Sequence, residues 1–458
     1  MNRRFALLFA LVLAVGGCAG AASSPGPSAV GQSPSPSSPA TSPSSPAFSP
    51  SSPAFSPLPG ISLAQAQLPR ASADPGAAAG AAGDLDAFGF DLLHAISAGG
   101  GNTVFSPASI SLALAMAELG AKGQTAAQMN AVLHGVVADG GLGLNALSAA
   151  LAARSGSFKD SAGQDIELTL RIANAPFAQA GLALEPAFLD ALASQFGAGL
   201  REVDYAADPE GARALINGWV KDETAGRIPE LLAPGVISRY TKLTLVNAIY
   251  LKAPWETAFD KAGTAAAPFT RADGSVVSVP TMSGGEQATS YAAGPGWQAV
   301  ELPYANGTLA MTIILPDNLA SFVAGLDGAQ FARITGSLVQ RQVDLSLPRF
   351  KVQTQVDLAK TLGSLGMPLA FIPGQADFTG ITTEVPLNIS AVIHQANISV
   401  DEQGTEAAAA TAVVMVGLAA PAEPVTVKVD HPFLFAVRDL ASGAVLFLGQ
   451  VTDPSAGG

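Results

Sequence analysis

Apolar residues recur along this chain with two different periods. From Leu85 to Ile96 they fall at Leu85, Phe88, Leu92 and Leu93, the spacing of one helix face. Gly99-Gly100-Gly101-Asn102 ends that run. The stretch from Ile110 to Met116 is apolar on nearly every side, which predicts a buried helix. Pro107 stands in its first turn, where a missing N–H costs little. Leu168 to Asn174 alternates like a strand, and Asn217 to Ile228 reads as a helix stopping at Gly226. Leu243 to Leu251 is a dense apolar strand closed by Lys252-Ala253-Pro254-Trp255 and Phe259. Further strands are expected at Val300–Tyr304, Leu309–Pro316, Val343–Pro348 and Val445–Val451. Helices and mostly antiparallel strands, mixed without a βαβ rhythm, predict an α+β fold.

One segment fits neither period comfortably. From Thr405 to Val416 there is no Pro, no Gly and one charge, and small residues give way to β-branched ones. As a strand, it would send Thr405, Ala407, Ala409, Thr411, Val413 and Met415 to one face and the charge of Glu406 to the other. By propensity alone, Glu406-Ala407-Ala408-Ala409-Ala410 equally favours helix.

Composition separates the N-terminal part of the chain from the rest. Residues 1–18 form a basic start and a short apolar run shaped like a secretory signal, ending in Val15-Gly16-Gly17-Cys18. That ending resembles a bacterial lipobox, which implies lipidation of Cys18, the chain's only cysteine. Ordinary cleavage after Ala19-Gly20-Ala21 is the alternative. Residues 19–80 are rich in Ser, Pro, Ala and Gly, with the near-repeat Ser42-Pro43-Ser44-Ser45-Pro46-Ala47-Phe48 and its successor Ser49–Phe55, and are expected to be a disordered tether. Residues 81–458 remain for a folded domain, ample for a sizeable core.

A net charge of −13 argues against nucleic acid or an anionic membrane as main partner. No nucleophile elbow or second cysteine is present, and the only candidate bases are His94, His134, His394 and His431. No two of these histidines are close enough for metal-ligand spacing. The chain is therefore read as a non-enzyme without cofactor or metal, whose chemistry is done by a partner.

Several short segments, taken in order, carry a resemblance. They are Phe105-Ser106-Pro107 with Ser109-Ile110, Asn217 to Ile228, Val246-Asn247-Ala248-Ile249-Tyr250, Glu301-Leu302-Pro303-Tyr304 and Leu347-Pro348-Arg349-Phe350. Ala376 to Ile381, Val392 to Ala396, Glu402 to Thr411, His431 to Phe435 and Phe447 to Pro454 complete the series. Together they resemble the serpins over some 370 residues. The resemblance implies helices packed around a large, mostly antiparallel central sheet, further sheets, and an exposed reactive-centre loop at about 402–424. It also implies a suicide substrate: a serine protease acylates itself on the loop, whose N-terminal arm then inserts into the sheet and distorts the enzyme.

Residue by residue, the resemblance makes Glu402, Gly404, Thr405, Glu406, Ala407, Ala408, Ala409, Ala410 and Thr411 the hinge. The reactive bond falls at Leu418-Ala419, which suits chymotrypsin-, elastase- or subtilisin-like proteases. Ser106, Ser109, Asn247 and His394 match the shutter beneath the opening sheet. Trp255 and Arg349 match the breach where insertion begins, with Arg349 and Glu402 as an exposed ion pair. Thr405 is expected at the sheet entrance, tolerant of arginine before insertion. Lys252-Ala253-Pro254 departs from the usual Lys-Gly, which puts the local turn in doubt. The implied partner is a target protease, serine type first and cysteine type second, for a monomer exported and lipid-anchored at the cell surface, or otherwise secreted. Arg154, Lys159 and Arg171 are too few to suggest a polyanion activator. A non-inhibitory carrier and a surface scaffold are the competing functions.

Overall fold

In the computed structural model, residues 59–159, 165–406 and 423–457 are described. Cys18, Ala407, Ala408, Ala409, Ala410, Thr411, Leu418 and Ala419 lie outside these residues. The strands in chain order are β1 (Ser62–Ala64), β2 (Thr103–Phe105), β3 (Gly156–Lys159), β4 (Asp165–Gln179), β5 (Leu200–Val203) and β6 (Leu243–Pro254). Then come β7 (Ala265–Thr270), β8 (Val276–Gly294), β9 (Trp297–Pro303), β10 (Leu309–Pro316), β11 (Val339–Pro348) and β12 (Phe350–Asp357). The last are β13 (Ala391–Asp401), β14 (Gly404–Thr405), β15 (Val425–Lys428), β16 (Phe433–Asp439) and β17 (Val445–Val451).

The main sheet runs β1-β5-β4-β6-β14-β13-β12, with β3 on β4. A second sheet runs β15-β11-β8-β9-β10-β16-β17-β2, with β7 on β8. Most pairings are antiparallel; β6 with β13 is one of the parallel ones. The α+β expectation therefore holds, and helices pack around both sheets.

The strand period of two gives the main sheet two buried faces. On β6, Leu243, Leu245, Ile249 and Leu251 join the large core, while Val246 and Ala248 face a second, smaller one. The large core takes in α1 (Ala78–Ser97) and α2 (Pro107–Glu118). Every residue of α2 is buried, as expected of a helix apolar on nearly every side. Ser106 caps α2 by accepting from the Ser109 N–H at 3.0 Å. The helices α3 (Gly123–Val132) and α4 (Leu142–Ala152) and the short α5 (Pro186–Ala191) follow in sequence. The smaller core lies under α6 (Pro209–Glu223), which contributes Ala212, Ile216, Trp219 and Val220. At the end of α6, not only Gly226 but also Ala225 takes a positive φ, 76° and 51°.

Structure begins before residue 80, where the tether was expected to end. Strand β1 pairs with the edge strand β5, Ile61 packs on the smaller core, and the Arg70 guanidinium bonds the Asn145 side chain and backbone on α4. Ile61, Leu63 and Leu68 are the signal within an otherwise small and polar composition. The doubtful turn at Lys252-Ala253-Pro254 is not a turn: β6 continues through Pro254.

Candidate functional site

Strands β6 and β13 pair directly from Thr244–Ile249 against Ala391–Ala396. Beyond that stretch they part, and β14 lies between them, antiparallel to both. Thr405 stands opposite Ala253 of β6 and opposite Val400 of β13; Gly404 stands opposite Pro254 and Asp401. Only glycine fits position 404. Its φ is +144°, and a Cβ there would come within 2.2 Å of the Ala253 carbonyl oxygen.

Thr405 corrects the expectation of a tolerant entrance residue. It is 1% exposed, and its hydroxyl lies 2.6 Å from the Tyr304 hydroxyl. Burial pushes the Tyr304 phenol up, so it stays protonated. The Tyr304 ring stacks on Trp255 at 4.6 Å and 9°, and the Trp255 indole N–H donates to the Asp401 carbonyl at 2.9 Å. Tyr304 belongs to the Glu-Leu-Pro-Tyr segment, but nothing in the sequence singles out its hydroxyl.

The Glu402–Arg349 pair is also less exposed than expected. The Glu402 side chain is 2% exposed against 44% for Arg349. Arg349 Nε donates to Glu402 Oε1 at 2.8 Å, and Thr264 donates to the same oxygen at 2.5 Å. Burial pushes this carboxyl up, but the bonds from Thr264 and Arg349 outweigh it and hold the group below its ordinary range. Glu406, the last described residue of the hinge, takes a left-handed φ of 50°.

Lower on the main sheet, Ser106, Ser109, Asn247 and His394 come together as one buried cluster. The Ser106 N–H donates to His394 Nε2 at 3.1 Å, so Nδ1 carries the ring proton and donates to Asn247 Oδ1. Asn247 and His394 face each other across the β6–β13 seam. Burial alone pushes the His394 imidazole down to about 3. Asn174 of β4, missed in the sequence, completes the group by accepting from the Ser109 hydroxyl at 2.8 Å. Its signal is a polar residue at the end of an alternating apolar strand, in register with Asn247. Asn174 Nδ2 and Asn247 Nδ2 are buried without a protein partner. The other histidines lie elsewhere: His94 bonds the Val323 and Leu326 carbonyls, His134 pairs with Asp91, and His431 contacts Asp430 and the Pro316 carbonyl.

A family model described as Serpin (serine protease inhibitor) matches residues 84–454. The chain belongs to the serpin family. It is 38% identical over 382 residues to leukocyte elastase inhibitor A of Rattus norvegicus, covering 80% of this chain and 97% of that one. It is 36% identical over 381 residues to leukocyte elastase inhibitor of Homo sapiens, with the same coverage of 80% and 97%. Among solved structures, the native state of the thermophilic serpin tengpin superposes with a TM-score of 0.74 at 28% identity, covering 85% of this chain and 97% of tengpin. Uncleaved ovalbumin gives 0.71 at 26%, covering 82% and 100%. The bare description of this serpin as a non-enzyme is corrected on the family match, which describes an activity: inhibition of serine proteases, the proteins that serpins bind.

Proposed function

We propose that this serpin is a suicide substrate for an apolar-selective serine protease, cleaved at Leu418-Ala419 and acting by insertion of the freed arm between β6 and β13. The observation that carries this reading is β14: the hinge already occupies the top of that seam, hydrogen-bonded on both sides. The register of β14 can be extended along the seam. Six residues beyond Thr405, Thr411 would fall opposite Asn247 on β6 and opposite His394 on β13, which are themselves partners in the intact seam. The extension keeps the level set by the direct β6–β13 pairing, and a strand period of two gives Thr411 the inward face that Thr405 has. The unpartnered Asn247 amide would then meet a hydroxyl.

Energetics support the direction of change. About twelve residues at roughly 3.3 Å each reach on the order of 40 Å. New backbone hydrogen bonds worth roughly 0.5–1.5 kcal/mol net apiece, with apolar burial, make a release of about ten kcal/mol reasonable. The intact protein is then kinetically trapped. An elastase-, chymotrypsin- or subtilisin-like target agrees with Leu418 and with the description of the mammalian relatives as leukocyte elastase inhibitors. Export and a lipid anchor at Cys18, with the Ser/Pro-rich segment as spacer, belong to the same reading.

The test is to mix the protein with chymotrypsin and with subtilisin. An SDS-stable complex of serpin and protease is expected. Clean cleavage with full protease activity in both reactions would leave a substrate or scaffold, not an inhibitor.

A further inference from the structure

Residues 224–241, in the connection from α6 to β6, cross the front of the main sheet. Ile228, Leu231 and Leu232 share the smaller core with Val246 and Ala248 of β6 and with Ala391 and Ile393 of β13. This connection therefore covers the very seam that an entering strand must open. Hydrogen bonds fasten it to β13 and β12, from Asn397 Nδ2 to the Arg227 carbonyl at 3.4 Å and from Gln355 Nε2 to the Leu231 carbonyl at 2.5 Å.

Arg227, near the start of this cover, reaches the hinge. Its Nε lies 3.0 Å from Glu406 Oε2, with the Glu406 side chain 15% exposed and that of Arg227 57%. The approach is not aligned as a hydrogen bond, so the attraction is one of charge. Glu406 sits at the point where the hinge leaves the sheet. Its N–H still bonds the Ser399 carbonyl at 3.1 Å, yet its φ of 50° turns the chain out of strand geometry after Thr405. Continuing the strand requires Glu406 to become extended, with its side chain on the front face beneath the cover.

Burial raises the Glu406 carboxyl, and the charges of Arg227 first and Lys351 second draw it back. Arg227 is thus the larger of the two charges that favour the anion at this position.

We propose that Arg227 is a positioning residue for loop insertion, whose pairing with Glu406 holds the hinge in its turned-out conformation and ties further entry to displacement of the 224–241 cover. The inference rests on the strand-insertion reading. Neither side chain belongs to the reactive bond; both act on when the seam opens.

The experiment holds intact protein just below its melting temperature and follows its conversion to a form that no longer unfolds on heating. Arg227→Met and Glu406→Gln should each convert about two- to fivefold faster than wild type, the range for a partly exposed pair. The double variant should convert no faster than either single one, and Arg227→Lys should retain most of the wild-type delay. Added sodium chloride should speed wild type and leave Arg227→Met unmoved. Additive effects, variants indistinguishable from wild type, or Arg227→Lys behaving like Arg227→Met would overturn the assignment. The melting temperature of loop-cleaved wild type is measured alongside. If cleavage brings no gain, insertion itself fails and the inference falls with it; a gain with unaltered variants overturns the Arg227 role alone.

Discussion

The hydroxyls of Tyr304 and Thr405 lie 2.6 Å apart in a site closed to solvent. The first inward-facing residue of the hinge is thus docked while the chain is intact. Removing either hydroxyl strands the other. Tyr304→Phe and Thr405→Val should each cost about 1–3 kcal/mol, and the double variant should cost much less than their sum. Chemical denaturation of the four proteins checks it. For the same reason Thr405→Arg is expected to destabilise the intact protein, since an unpaired charge would replace a buried, bonded hydroxyl.

The buried His394 sets a pH dependence with a definite sign. Its imidazole titrates near 3 in the folded protein, against about 6.5 when exposed. Between those values the unfolded chain binds a proton that the folded protein refuses, so stability falls as pH drops below about 6.5. Half-buried Asp86 and buried Glu118, each pushed up to about 7, act in the opposite sense by favouring the folded state as pH falls toward their unfolded values. The His394 contribution is isolated by subtraction. His394→Asn should be less stable than wild type at pH 7.5, and the difference should shrink steadily between pH 6.5 and 4.5.

On the proposed reading, Leu418 offers its apolar side chain to the protease pocket. Mass spectrometry of a chymotrypsin digest should show a C-terminal fragment beginning at Ala419, and Leu418→Arg should move inhibition from chymotrypsin toward trypsin by at least tenfold, about 1.4 kcal/mol of specificity. A first cut outside residues 416–420 would displace the assignment.

Lipidation of Cys18 predicts that the expressed protein partitions into detergent and that Cys18→Ser moves it to the aqueous phase. Deleting residues 22–58 should leave inhibition unchanged, because that part sets only distance.

Much of this molecule was legible in its sequence, for physical reasons. The α2 segment, apolar on nearly every side, points to burial and the dense Leu243–Leu251 segment to a central strand, and both are found. Motif order gathered Ser106, Ser109, Asn247 and His394 into one cluster before any fold was known. What escaped depends on contacts between distant segments. Tyr304 meets Thr405, and Arg227 meets Glu406, only because separate strands and a crossing connection converge at the top of the seam. Glu402 likewise accepts a hydrogen bond from Thr264, far away in the chain. Residues 59–80 read as tether because short apolar residues such as Ile61 are diluted by Ser, Pro and Ala, and only the β5 edge and α6 give them a partner.

Strand insertion is tested most directly by the thermal stability of the loop-cleaved protein. Wild type is nicked between residues 416 and 420 by a catalytic amount of subtilisin, and its unfolding is compared with that of intact protein. If the freed arm enters between β6 and β13, gaining on the order of ten kcal/mol, the cleaved form should unfold tens of degrees higher or survive boiling. An unchanged or lowered melting temperature after complete cleavage would contradict insertion.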